Sequence, residues 1–303
     1  MKRLLDCFAS DLKKMDKKEI LESIRASEGR IICAETTLVS DRPILEDVSD
    51  AELKSCLGAD MILYNWLDVF HPSIPSVVAE NAENAIREVK KLTGRLIGVN
   101  LEPVDEGAKT MGEIHKISQG RQASARSAKQ AVKIGLDYIL LTGNPGTGVT
   151  NKEIINSLKS IKEACGDEII LMAGKMHAAG SPEDAGEKII SKELIKQFAE
   201  AGADVICIPA PGTVPGISEQ FVREMISYAH SIGALTMTAI GTSQEGAGKE
   251  TICKIALMCK MCGADIHHIG DANVDNTDNL IFYGYTVRGV RHTLKSMAKS
   301  PNR

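Results

Sequence analysis

The sequence predicts an α/β fold, a closed (β/α)8 TIM barrel with an extra N-terminal helix. Three observations lead to this prediction: a Gly-x-Asp phrase recurs before four short apolar runs, four further apolar runs lie between them, and helical periodicity fills the intervals. Eight such units within about 250 residues favour a closed barrel over an open doubly wound sheet. No linker or low-complexity segment interrupts the pattern, so we expect residues 1–303 to form a single domain.

The repeated phrase marks every second strand. It reads LGAD, IGLD, AGAD and CGAD, and it precedes the runs MILYN (61–65), YILLTGN (138–144), VICIPAP (205–211) and IHHIGD (266–271). Short, continuously apolar runs are typical of strands buried on both faces. The glycine of each phrase predicts a left-handed cap on the preceding helix. The other four strands are predicted at 29–35, 94–102, 167–175 and 233–241.

The intervals between strands predict the helices. Apolar residues recur with helical spacing at 77–92, 124–134, 152–164, 192–201, 219–232 and 249–261. A helix after nearly every strand implies parallel strands with right-handed crossovers. A helix over 11–28 precedes the first strand and could plug the bottom of the barrel. A last helix from Leu280 to Met297 would close the outer ring.

Composition and charge restrict the partners. The chain has 36 Lys and Arg against 40 Asp and Glu, a formal charge of -4 that does not favour nucleic acid or an anionic membrane. No stretch predicts a signal peptide or a membrane span, so we expect a cytoplasmic protein. Eight scattered cysteines suggest reduced thiols. Barrel helices commonly support association, and a homo-oligomer is expected from the fold class alone.

The candidate catalytic residues lie at the predicted strand ends, because barrel enzymes place their sites there. They are Glu35, Glu102, Lys175, His177 and His268. Glu35 and Glu102 end the first and third strands, where they could divide acid and base work or together bind a divalent metal. His177 and His268 are candidate proton carriers, and His267 is expected on the opposite face of its strand.

Lys175 follows an apolar run and leaves three interpretations open. Desolvation could lower its pKa and make it a Schiff-base nucleophile or a general base. It could instead remain protonated and pair with Glu35, Glu102 or a substrate anion. A structural lysine without a part in the chemistry is the third interpretation.

Glycine-rich loops at 142–151, 209–218, 239–248 and 269–273 predict anion binding. Glycine allows backbone N–H groups to approach a phosphate, and each loop leads towards a helix N-terminus. The loops after strands seven and eight commonly hold phosphate in barrels. The alternative is that these glycines only form tight turns. The candidate substrate-binding residues are Asn65, Asn100, Asn144, Gly241, Thr242, Ser243, Gly246, Gly248, Gly270 and Asp271.

Several stretches carry a resemblance to a known family: MKRLLD at the start, SIRASEGR at 23–30, GTSQEGAG at 241–248 and GDAN at 270–273. Over its whole length the chain resembles a functionally unassigned bacterial TIM-barrel family, whose members are sometimes labelled haloacid-dehalogenase-like hydrolase or phosphonomutase-like. The first label implies a Rossmann-like fold with an Asp nucleophile, and the second an Asp-rich metal site and a catalytic cysteine loop. The sequence matches neither residue pattern. More broadly, the chain is similar to phosphate-binding barrels, which include aldolases, isomerases and synthases.

The leading hypothesis is an enzyme that acts on a small phosphorylated metabolite, such as a sugar phosphate, by proton transfer at carbon. It would be an isomerase, an epimerase or an aldolase-type lyase. The loops at 103–121 and 176–191 could close as lids over the site. One alternative is a metal-assisted hydrolase that uses Glu35, Glu102 and His268; another is a catalytically silent barrel that binds a metabolite. The sequence identifies no cofactor and no definite metal site.

Overall fold

Eight parallel strands pair in chain order and close on themselves, with β8 against β1. The computed structural model describes residues 1–108, 115–178, 186–241, 244–271 and 277–303. Its strands are β1 (Ile31–Thr37), β2 (Met61–Asn65), β3 (Leu96–Leu101), β4 (Tyr138–Leu141), β5 (Ile170–Gly174), β6 (Val205–Pro209), β7 (Leu235–Ile240) and β8 (Ile266–Ile269). The predicted (β/α)8 barrel is confirmed.

Two helices precede β1, and one helix follows each strand around the outside of the barrel. They are α1 (Ala9–Leu12), α2 (Lys17–Arg25), α3 (Asp50–Cys56), α4 (Ala85–Thr93), α5 (Ala125–Ile134), α6 (Asn151–Cys165), α7 (Lys192–Glu200), α8 (Glu219–Ser231), α9 (Lys249–Cys262) and α10 (Asn279–Met297). The sequence did not predict α3, which is only seven residues long. Its start is nevertheless well defined, because Ser49 and Glu52 form a capping box.

Two helix predictions were wrong in extent. The predicted helix at 77–92 begins only at Ala85, after a short 3-10 turn that the Asn81 side chain caps, and Val78 is exposed rather than packed. The predicted helix at 11–28 is broken into α1 and α2. Asp16 starts α2 because its carboxylate accepts a hydrogen bond from the backbone N–H of Glu19 at 2.8 Å.

The N-terminal segment closes the bottom of the barrel. Leu4, Leu5, Ile20 and Ile24 are buried in the same apolar cluster as the interior side chains at the strand starts, such as Ile31. A second apolar cluster fills the layer between the strands and the outer helices. The extra N-terminal element is therefore a plug, as the sequence predicted, and the opposite end is left for ligands.

The recurring Gly-x-Asp phrase has a structural role at the bottom of the barrel. Each glycine has a positive φ, as at Gly58 with 104°, and so ends its helix as predicted. Each aspartate accepts a hydrogen bond from a backbone N–H at the start of the preceding strand. The four pairs are Asp60 with Ile32 (3.0 Å), and Asp137 with Ile97, Asp204 with Leu171 and Asp265 with Thr236 (2.8 Å each).

Each of these aspartates also lies against a cationic or histidine side chain. The partners are Arg288 for Asp60, Lys90 for Asp137, Lys17 for Asp204 and His230 for Asp265. The pair between Asp60 and Arg288 is almost fully buried, with 3% and 0% of the side chains exposed. The four repeated carboxylates thus hold strand starts together, far from the end where the strands finish.

Candidate active site

A cavity of about 280 Å³ opens at the carboxyl ends of the strands. Side chains alternate between the two faces of a strand, so inward positions at the ends of the first four strands share one wall. They include Glu35 in β1, Asn65 at the end of β2, Asn100 in β3 and Thr142 directly after β4. The predicted site residues that line the cavity are Glu35, Asn65, Asn100, Asn144, His177, Gly241, Gly270 and Asp271. The other lining residues are Thr37, Leu63, Trp66, Thr142, Gly143, Met176 and Glu245.

Glu35 is held by neighbours on both sides. Its Oε1 accepts a hydrogen bond from Nδ2 of Asn65 at 2.9 Å, and its Oε2 lies 3.0 Å from Nε2 of His268. The His268 contact is close but not aligned as a hydrogen bond. Burial alone would raise the pKa of Glu35, yet His268, Asn65 and the charge of Lys54 together bring it below the ordinary glutamate value. The carboxyl is therefore ionised at neutral pH.

Three asparagines form a connected amide cluster beside Glu35. Asn65 and Asn144 exchange two hydrogen bonds, of 2.8 and 3.0 Å, and Asn100 donates to Oδ1 of Asn65 at 3.0 Å. Asn100 is 3% exposed, and its own Oδ1 has no hydrogen-bond partner among the described residues; the same holds for Oγ1 of Thr142. Buried polar atoms without partners on a cavity wall are typical of a ligand site.

Glu102 lies beside the cavity rather than on its wall. Its Oε1 accepts a hydrogen bond from Arg121 at 2.6 Å, and its Oε2 accepts one from the backbone N–H of Asn144 at 2.9 Å. With 1% exposure, both oxygens are engaged in holding the loop after β4. The arrangement brings Glu102 close to the site as a support for Asn144.

His177 lines the cavity, and Lys175 lies buried nearby. Lys175 directly follows β5, is 2% exposed and is not among the described cavity-lining residues. Burial lowers the pKa of His177, and the positive charge of Lys175 acts in the same direction against the charges of Glu35 and Glu102. The imidazole is therefore neutral at neutral pH.

Asp271 joins the ends of β8 and β1 at the rim. Its Oδ2 accepts a hydrogen bond from the backbone N–H of Thr37 at 2.8 Å, and its Oδ1 accepts one from Nζ of Lys54. Lys54 also donates to the backbone carbonyl of Glu35. Lys54 was missed because α3, which carries it, was not predicted, and nothing local in the sequence signals that its side chain turns inward.

The predicted phosphate loops are only partly on the cavity. Gly241 and Gly270 line it, whereas Gly246 and Gly248 do not, and Thr242 with Ser243 lies outside the described residues. Gly248 precedes α9, whose N-terminus has no side-chain cap. The predicted lid loops are described except for 109–114 and 179–185.

Trp66 and Glu245 are among the lining residues that were not candidates from the sequence. Trp66, the single tryptophan, has a positive φ of 67°, and the Arg121 guanidinium lies over its ring at 4.6 Å. Glu245 follows β7 within the loop that was interpreted as a phosphate cradle, and its Oε2 is buried with no partner among the described residues. The one available signal was an acid within a glycine-rich loop after a strand end.

His267 faces away from the cavity, as predicted. Its Nδ1 lies 3.3 Å from the Tyr283 hydroxyl of α10, and its Nε2 lies 2.9 Å from the backbone oxygen of Gly29. Within the described ranges, no group of three or more His, Cys, Asp or Glu residues has a geometry suited to a metal ion. No described helix combines the length and apolar character needed to cross a bilayer.

Solved structures with a similar fold include two archaeal aldolases. A fructose 1,6-bisphosphate aldolase is 16% identical with a TM-score of 0.58, over 90% of this chain and 99% of that one. A second, whose catalytic Lys is covalently bound to the carbinolamine intermediate of the substrate, is 16% identical with a TM-score of 0.58, over 89% and 97%. At this identity the likeness shows the fold alone.

A 2,3-dimethylmalate lyase of the PEP mutase/isocitrate lyase superfamily is 12% identical, over 84% of this chain and 80% of that one, with a TM-score of 0.49. That score is too low to carry an argument. A comparison with curated proteins finds no significant match. None of these findings supports the haloacid-dehalogenase label, and the closed barrel differs from the Rossmann-like fold that the label implies.

One family model matches nearly the whole chain. The match covers residues 5–303, from the N-terminal plug through α10. The chain therefore belongs to the family described as a domain of unknown function, DUF7916.

Proposed function

We propose that the protein is an enzyme that transfers a proton at a carbon atom of a small phosphorylated metabolite, such as a sugar phosphate. It acts as an isomerase, an epimerase or an aldolase-type lyase. The observation that carries this proposal is the pairing of an ionised carboxylate, Glu35, with a neutral imidazole, His177, on the same cavity. Both pKa values are lowered, which leaves the carboxylate charged and the imidazole uncharged at neutral pH, so the first can act as a base and the second as an electrophile.

The proposed chemistry begins with a carbonyl substrate whose adjacent carbon carries a hydrogen. Glu35 takes that proton, and the electron pair of the C–H bond moves towards the carbonyl oxygen. The neutral His177 and the free amide hydrogens of the asparagine cluster donate hydrogen bonds to this oxygen as negative charge develops. Return of the proton to the same carbon or to its neighbour gives an epimer or an isomer.

The phosphate part of the proposal is supported by the loops after β7 and β8. Gly241 and Gly270 line the cavity without side chains, so an anion can approach the backbone of this wall closely. The N–H of Gly270 itself donates to the backbone oxygen of Ile240 at 2.9 Å. The two archaeal aldolases with this fold act on a phosphorylated sugar, fructose 1,6-bisphosphate. Lys54 and Lys175, both buried near the rim, would offset part of the added negative charge.

Lys175 separates the lyase from the isomerases within the proposed class. One archaeal aldolase of this fold forms a covalent intermediate at its catalytic Lys. If this chain works in the same way, borohydride added with substrate traps a secondary amine at Lys175, which mass spectrometry locates. Trapping must disappear in Lys175→Met. Turnover without trapping assigns an isomerase or epimerase instead.

A thermal-shift screen against phosphorylated three- to six-carbon metabolites tests the proposal. A ligand at 100 times its dissociation constant adds about 2.7 kcal/mol to stability. We expect hits that vanish when the same compounds lack phosphate, followed by exchange of a carbon-bound hydrogen in D2O that Glu35→Gln abolishes. A blank screen contradicts the phosphate proposal. Binding without exchange would favour the silent barrel, and activity that chelation removes would favour the hydrolase.

A further inference from the structure

Glu245 occupies an unusual position on the cavity wall. It belongs to the short 3-10 turn Gln244–Gly246 that follows β7, and it is one of the residues that line the cavity. Its Oε2 has almost no contact with solvent and no hydrogen-bond partner among the described residues. A buried carboxyl oxygen without a donor is costly as a carboxylate and much less costly as a protonated acid.

The backbone around Glu245 is fixed in place. Asn279, at the start of α10 and 3% exposed, donates from Nδ2 to the backbone oxygens of Glu245 and Ala247, both at 2.9 Å. One buried amide thus holds two carbonyls of the turn. This arrangement positions the Glu245 side chain from a neighbouring element and does not use its carboxyl group.

Gly270 at the end of β8 makes room for the Glu245 side chain. A Cβ atom at Gly270 would lie 3.3 Å from both Cγ and Cδ of Glu245 and 3.0 Å from the backbone oxygen of Ile240. These distances are tighter than normal carbon contacts, so the glycine allows the carboxyl to lie over β8. A tight-turn role alone does not require this space, because the φ of Gly270 is not in the left-handed region.

The charges facing Glu245 come from the neighbouring strands. Burial raises the pKa of Glu245, and the negative charges of Glu35 and Asp271 act in the same direction. A hydrogen bond from its own backbone N–H and the charge of His268 oppose them without reversing the shift. Glu35, by contrast, has a lowered pKa. The pKa values of two carboxyl groups on one cavity are thus shifted in opposite directions, which is the usual arrangement for a base and an acid.

We propose that Glu245 is the proton donor of this cavity, the acid that works with the Glu35 carboxylate. The assignment rests on the proposed function and names the group that supplies a proton to the carbonyl oxygen. As Glu35 removes a proton from carbon, the C–H pair forms a C=C bond and the carbonyl oxygen takes the proton of Glu245. In the reverse half, the Glu245 carboxylate recovers this O–H proton while Glu35 returns its own to carbon.

The first test needs no substrate. The whole protein is labelled with carboxyl-¹³C glutamate and titrated by NMR, and the signals are assigned with Glu245→Gln, Glu35→Gln and the control Glu250→Gln, an exposed acid of the same region. We expect the Glu245 signal to titrate above that of Glu250, and the Glu35 signal below it. A Glu245 signal that titrates with Glu250 or below it overturns the assignment.

The second test measures hydrogen exchange from dihydroxyacetone phosphate in D2O, a ketose phosphate with exchangeable C–H groups beside its carbonyl. Glu245→Gln should slow exchange by about 10²- to 10⁴-fold with little change in KM and should remove the alkaline limb of the pH profile. Glu250→Gln should change neither. Exchange that survives Glu245→Gln overturns only the role of Glu245. The unaltered protein could also fail to exchange hydrogen although NMR shows a raised pKa for Glu245. That result contradicts the proposed reaction on this probe, and the donor role of Glu245 with it.

Discussion

The two ends of the barrel differ in whether the chain supplies hydrogen-bond partners to their buried polar groups. At the bottom, each repeated aspartate is fully engaged, as Asp60 is by Ile32, Arg288 and Ser296. At the mouth, Oδ1 of Asn100, Oγ1 of Thr142 and Oε2 of Glu245 are buried without partners among the described residues.

This difference separates structural from functional polar groups better than residue type does. Carboxylates occur at both ends, but those at the bottom are neutralised by the fold itself. Groups at the mouth have been desolvated without compensation from the chain, an expense that a ligand can offset when it binds. The four aspartates of the repeat are therefore assigned to stability although they recur throughout the sequence.

The largest effect on stability is expected from the buried ion pair between Asp60 and Arg288 at the bottom of the barrel. Asp60→Asn leaves the Arg288 guanidinium buried without a counter-charge, so we expect a loss of about 3–5 kcal/mol in the free energy of unfolding. Asp204→Asn is the matched control, because its side chain is 18% exposed and its Lys17 partner keeps a second carboxylate, that of Asp167, at 3.7 Å. Urea denaturation measures both. Equal losses in the two variants would contradict the proposed importance of burial.

A pair of isosteric substitutions compares the two ends directly. Thr236 donates to Asp265 at 3.0 Å near the bottom, so Thr236→Val should lower the free energy of unfolding by about 1.5–3 kcal/mol, the usual range for a hydrogen bond to a charged group. Thr142→Val removes a hydroxyl that has no partner in the described structure, and stability should be unchanged or higher. Thermal unfolding under identical conditions gives both values.

Equal destabilisation by Thr142→Val and Thr236→Val would contradict the difference between the two ends of the barrel. It would mean that the Thr142 hydroxyl is satisfied by the fold, as the Thr236 hydroxyl is. Weaker binding of a phosphorylated hit to Thr142→Val would instead strengthen the assignment of Thr142 to a ligand site.

A smaller effect is expected in the pH dependence of stability. The folded pKa of Glu35 is lowered, so its charge contributes stability above the ordinary glutamate pKa of about 4.3 and loses this contribution as the pH falls through the folded value. The difference in unfolding free energy between the unaltered protein and Glu35→Gln should be largest near pH 7 and shrink below pH 4. A difference that grows on acidification would contradict the lowered pKa.

The fold was predictable because its signals are local. Continuous apolar runs marked the eight strands, and the glycine of each repeat marked a helix end that the positive φ values confirm. The errors have local causes too: α3 has seven residues with several charges, and the segment before Ala85 has apolar residues at helical spacing but leaves Val78 in solvent.

The candidate site was less predictable because its contacts span the chain. Strand ends indicated Glu35, Asn65 and Asn100, since their position depends only on the alternation of side chains along a strand. Lys54 reaches the rim from a helix, and the contact with Asp271 joins residues 217 positions apart. Such long-range contacts leave no trace in a single sequence.

The aspartate pairs also divide the barrel into units. Each pair joins an odd strand to the even strand that follows it, so that β1 with β2, β3 with β4, β5 with β6, and β7 with β8 carry an internal link. Circular permutants opened between β2 and β3 or between β6 and β7 would keep all four links. New termini placed between β1 and β2 would instead turn one link into a contact between the two chain ends. The barrel therefore consists of four strand pairs, each with its own internal link.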